Sequence, residues 1–302
     1  MFFTLTRAKA ALSLLAFFST GYAGSSKQIT EWGDNPTNLG AVIVYTPDTV
    51  AENPAVVLAL HPCGGTGQMY QSMTGLNKYA DDHGFIVLYP TSKSQNGMNC
   101  WDAHSEKSLK HDGGGDSQGL AGMTKWAIET YNGDPEKVFV VGGSSGAMET
   151  NVLAATYPDL FKGAISYSGV PAACWAGSPI STPLSSDLSC PLGQKASTYT
   201  ADQWAELAKS CYPGYDGPYP KMMIIHGTAD TAVTVNNLAA QLSQWATVKG
   251  LEFSKNVTDD PIARWKKIEY GDGTELVGYE VQGGGHIPPF QGALAMEFWG
   301  LA

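Results

Sequence analysis

Basic residues are scarce in this chain, and long apolar runs are scarcer. Lysine and arginine number 18 against 28 acidic residues, for a formal net charge of −10. A surface of that sign repels phosphate backbones, so nucleic acid is not an expected partner. Beyond the first two dozen residues no stretch is apolar for the length a bilayer span needs, and no membrane partner is expected. The sequence has no internal repeat, no low-complexity linker and no long charge run. Its five cysteines, Cys63, Cys100, Cys174, Cys190 and Cys211, fall at no zinc-site spacing. No metal and no cofactor is expected.

What is present begins with a leader. Arg7 and Lys9 precede an apolar run from Ala10 to Ser19, too short for a membrane span, and Gly21-Tyr22-Ala23 supplies small residues at a cleavage site. Residues 1–23 therefore read as a signal peptide, and 24–302 as one domain secreted to the extracellular space. In that oxidising setting cysteines pair by default, and an odd count leaves one thiol over. Asn256-Val257-Thr258 is an acceptor for N-glycosylation, while Asn35-Pro36-Thr37 is blocked by its proline.

Short β-branched runs alternate with amphipathic segments along the rest. Strands are expected at Gly40–Tyr45, Ala55–His61, Phe85–Tyr89, Lys137–Gly142, Gly163–Ser168, Lys221–His226 and Val277–Gln282. Helices are expected at Gln71–His83, Ser117–Tyr131, Ser145–Tyr157, Thr200–Ser210, Val235–Val248 and Phe290–Phe298. That alternation predicts an α/β fold, a mostly parallel sheet with helices on both faces, whose function lies at the C-terminal ends of its strands. Ala172–Thr198 lacks periodicity and reads as a long insertion near that edge.

The strand at Lys137–Gly142 runs into Gly142-Gly143-Ser144-Ser145-Gly146 and then a helix. This is G-x-S-x-G in its strand–turn–helix setting, the elbow of an α/β-hydrolase. A turn that sharp strains one serine and leaves no room for side chains two residues away. Ser144 has glycine at both of those places; Ser145 does not. Ser144 is thus the candidate nucleophile, and the Ser145 N–H a candidate oxyanion donor. A serine needs a base, and in this fold acid and histidine follow it in that order. Asp230 follows the Lys221–His226 strand, and of the six histidines only His286 lies beyond it. It comes after Gly283-Gly284-Gly285, read as a flexible run that lets the imidazole swing over the serine. Asp259 and Asp260 are the alternative acids. The second oxyanion donor falls in Leu58–Gly67, where Pro62 has no N–H, so it is Cys63 or a following glycine; Cys63 is preferred. His61 and His226 end strands and read as structural. Trp101, His111 and Trp175 are candidate pocket residues, and Asp116 or Ser117 a helix cap.

A set of motifs in this order resembles a known family: DNPTNLG (34–40), LHPCGG (60–65), GFIVLYP (84–90), NCWD (99–102), GGGDS (113–117), GSSGAM (143–148), ATYPDLF (155–161), YPGY (212–215), HGTAD (226–230) and GGGH (283–286). Together they are similar to the fungal acetylxylan and feruloyl esterases of carbohydrate esterase family 1, relatives of extracellular polyhydroxyalkanoate depolymerases. The resemblance implies a secreted, metal-free serine esterase with a Ser–His–Asp triad that, as a monomer, removes acetyl (or feruloyl) groups from plant cell-wall xylan or its oligosaccharides through an acyl-enzyme on Ser144, with feruloyl release as the main activity the alternative. It also implies disulfides Cys63–Cys100 and Cys174–Cys190, with Cys211 unpaired. Pro62 stands where relatives often carry an aromatic residue. The sequence reaches Ala302 without the linker and cellulose-binding module of many relatives, so a single catalytic domain is expected. The competing readings are a polyester depolymerase, a peptidase, and a silent carbohydrate-binding protein on a hydrolase scaffold.

Overall fold

The computed structural model describes residues 24–302 apart from 34, 38 and 96. The signal-peptide reading of 1–23 and two positions of the 34–40 motif lie outside the described residues. In chain order the strands are β1 (Ser25–Ile29), β2 (Val42–Thr46), β3 (Val56–Leu60), β4 (Ile86–Pro90), the short pair β5 (Ser94–Gln95) and β6 (Met98–Asn99), β7 (Val138–Gly143), β8 (Gly163–Tyr167), β9 (Lys221–Gly227), β10 (Phe253–Thr258), β11 (Trp265–Tyr270) and β12 (Leu276–Val281). The helices are α1 (Gly67–Thr74), α2 (Leu76–His83), α3 (Asp116–Tyr131), α4 (Ser145–Thr156), α5 (Ala201–Ser210), α6 (Asn236–Lys249) and α7 (Gly292–Trp299).

Ten strands form one sheet in the order β1-β2-β4-β3-β7-β8-β9-β12-β11-β10. Its centre, from β4 to β12, is parallel throughout; both margins are antiparallel. The Val/Ile/Leu runs are continuous rather than alternating because both faces are covered. Along β3, Val56, Leu58 and Leu60 point into one buried cluster, and Val57 and Ala59 into the other. The first cluster takes residues of α3, α4, α5 and α6; the second takes those of α1, α2 and α7. This is the expected α/β architecture.

Three expectations change in detail. The predicted helix Gln71–His83 is two helices, broken at Gly75 in the left-handed region (φ 60°). Strands β1, β10 and β11 went unread. They lie at or next to the sheet edges, and β1 and β10 are largely exposed, so they lack the apolar signature of the central strands. Helix α3 is preceded by Gly115, with no side-chain cap; the Asp116 N–H donates instead to Ser108 Oγ (2.8 Å), which replaces the expected cap at Asp116 or Ser117. The insertion 172–198 contains only turns and a short 3₁₀ segment at Lys195–Ser197. Among the described residues no helix is long and apolar enough to cross a membrane.

Candidate active site

The elbow is built by contact between backbones. A Cβ on Gly142 would run into the Gly146 carbonyl, and one on Gly146 into the Leu60 carbonyl. The strand and helix can therefore approach only as glycine, which is what the spacing predicts. Between them Ser144 adopts φ 53°, ψ −117°, a region non-glycine residues rarely enter. Two hydrogen bonds hold it there: its N–H donates to Tyr167 O (2.8 Å), and its carbonyl accepts from Met148 N–H (2.9 Å). Every residue of α4 is buried, and Asn151 ties the helix to α6 by donating to Gln241 Oε1 (2.8 Å) and accepting from Trp245 Nε1 (2.8 Å). The serine thus stands on a fixed platform.

The structure brings Ser144, His286 and Asp230 together from three loops at one sheet edge. His286 Nε2 is 2.8 Å from Ser144 Oγ, and its Nδ1 is 2.8 Å from Asp230 Oδ2. Asp230 Oδ1 accepts from the backbone N–H groups of Ala232 and Val233, each at 2.9 Å. Burial works against the charge of this carboxylate. Hydrogen bonds from His226, His286 and the Val233 N–H outweigh it, and the Asp230 carboxyl stays far below the usual range.

The glycine run before His286 is pinned rather than flexible. Gly283 N–H donates to Thr228 Oγ1 (2.7 Å), and the Gly284 carbonyl accepts from Ala229 N–H (2.8 Å). Gly283 has φ 69°, and a Cβ there would strike the Arg264 guanidinium. Close approach of the two loops requires glycine on the acid side, at Gly227, where a Cβ would run into the Gly284 and Gly285 carbonyls. This corrects the expectation of a swinging imidazole. Beyond it, Ile287 N–H is anchored on Ser168 Oγ (3.2 Å).

On the other side of Ser144 the loop after β3 is fastened to the NCWD segment. Cys63 is disulfide-bonded to Cys100. Gly64 N–H donates to Asn99 O (2.9 Å), and Asn99 Nδ2 to Gly65 O (3.2 Å). Among the described residues, neither the Cys63 nor the Ser145 backbone N–H has a protein acceptor. Both residues line the cavity next to Ser144. The Ser145 hydroxyl accepts from Trp101 N–H (2.8 Å), so the second serine side chain is a structural tie.

Two of the expected pocket residues are elsewhere. Trp101 is fully buried, and its indole N–H donates to His61 O (2.9 Å); it braces the loop from behind. His111 stacks on Tyr212 at 3.7 Å and bonds to Thr156 O (2.6 Å), at the far end of α4 from the elbow. Trp175 does line the cavity. His61 donates Nδ1–H to Pro62 O (2.7 Å) and accepts from Ser92 N–H at Nε2 (3.0 Å); burial lowers its pKa to about 4, so it stays neutral. His226 Nε2–H donates to Val233 O (2.8 Å). His61 acts on backbone, while His226 Nε2 also stands 3.5 Å from Asp230 Oδ2 and supports the acid.

The cavity measures about 180 Å³ and is mostly apolar. Half of its wall comes from the 172–198 insertion, including Trp175, Pro183, Leu188 and Leu192, and Met148 and Val233 close it. Except for Trp175 these positions escaped the sequence reading: the insertion carries no periodicity, so nothing marked which of its side chains face inward. The insertion is bridged by Cys174–Cys190; Cys211 is a buried free thiol, pushed up to about 12 by burial and by the nearby Glu149. Asn256 is exposed on β10. Among the described residues no cluster of three or more His, Cys, Asp or Glu is placed to hold a metal ion.

A parallel sheet carrying a strained serine, an aspartate and a histidine in that chain order defines an α/β-hydrolase. The sequence profile of the esterase PHB depolymerase family matches residues 39–257. A feruloyl esterase B of Neurospora crassa is 43% identical over 98% of this chain and 99% of its own length. An acetylxylan esterase A of Emericella nidulans is 42% identical over 92% of this chain and 90% of its own. The solved acetyl xylan esterase of Aspergillus awamori superposes with a TM-score of 0.86 at 39% identity, covering 92% of this chain and all of that one. The chain belongs to the esterase PHB depolymerase family and is a carboxylic ester hydrolase.

Proposed function

We propose that this is a secreted serine esterase of 24–302 that removes hydroxycinnamoyl groups, feruloyl above all, from xylan through an acyl-enzyme on Ser144. The observation that carries the acyl choice is the cavity beside Ser144 and His286. At about 180 Å³, walled by Trp175, Leu188 and Val233, it exceeds the ~150 Å³ apolar cavity that suffices to hold a benzene ring. An aromatic acyl group fills it; an acetyl group leaves most of it empty. Relatives named feruloyl esterase B and acetylxylan esterase A support both acyl readings on this scaffold. The reading of 1–23 as a leader, the two disulfides and the Asn256 sequon support an extracellular, glycosylated protein.

The chemistry follows from the geometry. His286 Nε2 takes the Ser144 proton as Oγ attacks the ester carbonyl. The oxyanion is received by the N–H groups of Cys63 and Ser145, at the N-terminus of α4, where the helix dipole adds to them. His286 then protonates the departing sugar hydroxyl. Water, deprotonated by the same nitrogen, displaces the acid from Ser144. Asp230 fixes the Nδ1–H tautomer and stabilises the imidazolium formed twice in the cycle.

Acetate is the second reading, favoured by the close superposition on the Aspergillus awamori enzyme. Digestion of an acetylated, feruloylated arabinoxylan decides between them. Ferulate release with a kcat/KM above that for acetate is expected; acetate released alone would overturn the acyl assignment and leave the serine mechanism standing.

A further inference from the structure

The 172–198 insertion has almost no secondary structure, yet it forms half of the cavity wall. An irregular segment of that kind holds a shape only if something cross-links it. Its disulfide closes the ends at Cys174 and Cys190, and Ser181 ties the stretch outward by accepting from Ala103 N–H (3.1 Å) and donating to Trp101 O (3.0 Å). A second cross-link lies inside. Asp187 Oδ2 accepts from the Ser178 hydroxyl on the outgoing arm. Its Oδ1 accepts from both the hydroxyl and the N–H (3.0 Å) of Ser189 on the returning arm. Lys195 Nζ stands 3.9 Å from Oδ2 and donates to Cys174 O at 2.6 Å, tying the knot to the base of the insertion. The next residue along the chain, Leu188, lines the cavity, and its carbonyl accepts from Leu192 N–H (3.0 Å), so the two wall leucines share one turn. Both side chains are about 40% exposed, at 42% and 39%, so core packing alone does not fix them.

We infer that Asp187 is a positioning residue for acyl selectivity: its carboxylate knots the two arms of the insertion and so holds Leu188 and Leu192 as a fixed wall for a bulky acyl group. Its hydrogen bonds from Ser178 and Ser189 keep the carboxyl down at about 2, charged wherever the enzyme works. A wall held in advance receives a large acyl group without the ordering cost a loose loop would impose. A short acyl group touches little of that wall. The knot therefore matters for large acyl groups and not for small ones. This rests on the reading of the cavity as the acyl site.

The test is steady-state kinetics of Asp187→Ala and Lys195→Met on methyl ferulate and on p-nitrophenyl acetate. KM for methyl ferulate should rise about five- to tenfold with kcat nearly unchanged, while kcat/KM for the acetate stays within about twofold, in line with lost ordering of one or two wall side chains. Asp187→Asn, which keeps an acceptor for Ser189, should recover part of the loss. Equal losses on both esters would show a general structural role and overturn the inference, as would no change on either. Failure of the feruloyl reading itself shows differently: the wild type would then favour acetate. In that case p-nitrophenyl esters of increasing chain length report the knot, and an unshifted chain-length profile in the variants overturns it.

Discussion

Asp230 holds His286 with one oxygen and its own loop with the other: Oδ2 lies 2.8 Å from His286 Nδ1, and Oδ1 caps the N–H groups of Ala232 and Val233. The carboxylate cannot rotate toward a different partner without giving up two backbone bonds. Asp230→Asn keeps the acceptor for the loop but turns an amide N–H toward Nδ1. The imidazole must then carry its proton on Nε2, facing Ser144, and cannot take the serine proton. A kcat loss of about 10³–10⁴-fold with little change in KM is expected for p-nitrophenyl acetate. Loss under tenfold would transfer the role to another acid. Asp259, whose carboxylate accepts from Arg264 N–H in the turn between β10 and β11, is engaged elsewhere.

The two serines of the elbow should separate cleanly. Ser144→Ala is expected to lose about 10³-fold or more in kcat and to melt like the parent, since among the described residues its hydroxyl bonds only to His286. Ser145→Ala is expected to keep most of its activity and to lose about 1–3 kcal/mol of stability. The buried Trp101 N–H would lose its acceptor, and that is the usual cost of an unsatisfied donor. Thermal melts alongside esterase assays read both effects; an inactive, stable Ser145→Ala would shift the nucleophile by one residue.

The contrast between those serines shows what was legible in the sequence. Glycine spacing distinguished Ser144 from Ser145 because backbone contact at Gly142 and Gly146 is a local rule. Chain order singled out His286 because the fold imposes it. Trp101 and His111 were misplaced because an aromatic residue near a motif looks the same in sequence whether it braces a loop or lines a pocket. Only tertiary packing decides, and it put Trp101 behind His61 and His111 on Tyr212. The edge strands β1 and β10 were invisible for a related reason: edge strands half-paired with solvent carry no apolar run.

Asp116 gives a pH prediction. Burial, reinforced by the charge of Asp102, outweighs the Asp102 N–H bond and raises its carboxyl to about 6. In the unfolded chain it titrates near ~3.9. Between about 4 and 6 the folded state therefore holds a proton that the unfolded state has released, and stability falls as pH rises through that window. Asp116→Asn removes the ionisation and keeps an acceptor for the Asp102 N–H. Relative to the parent, the variant should gain on the order of 2–3 kcal/mol between pH 4 and 7 and hold that gain above it. The neutral His61 is common to both proteins, whereas the buried Glu149, pushed up by burial and then by the Asp116 charge, is relieved along with it, so the difference between the two Tm–pH curves reports Asp116 together with Glu149. A constant offset from pH 4 to 8 contradicts the assignment.

The two disulfides should differ in what their loss does to chemistry. Cys63–Cys100 closes a separation of 37 residues and Cys174–Cys190 one of 16, worth about 4 and about 3 kcal/mol on the chain-entropy account. Stability alone would hardly tell them apart. Position does: Cys63 lies beside Ser144 in the cavity, and its N–H is the proposed oxyanion donor, whereas Cys174 anchors the base of the acyl wall. With Cys63 and Cys100 both changed to alanine, the loop keeps its Gly64–Asn99 and Asn99–Gly65 bonds, so the fold should persist while the donor loses its fixed aim. Loss of one oxyanion donor costs about 10²–10³-fold in kcat, and partial misalignment should fall at or below the lower figure, about 10²-fold. Cys174→Ala with Cys190→Ala should instead spare acetate turnover and raise KM for methyl ferulate. Circular dichroism on each double variant, measured beside both activities, checks the division. If the Cys63/Cys100 variant loses activity only in step with its folded signal, the bridge supports the fold and not the oxyanion site.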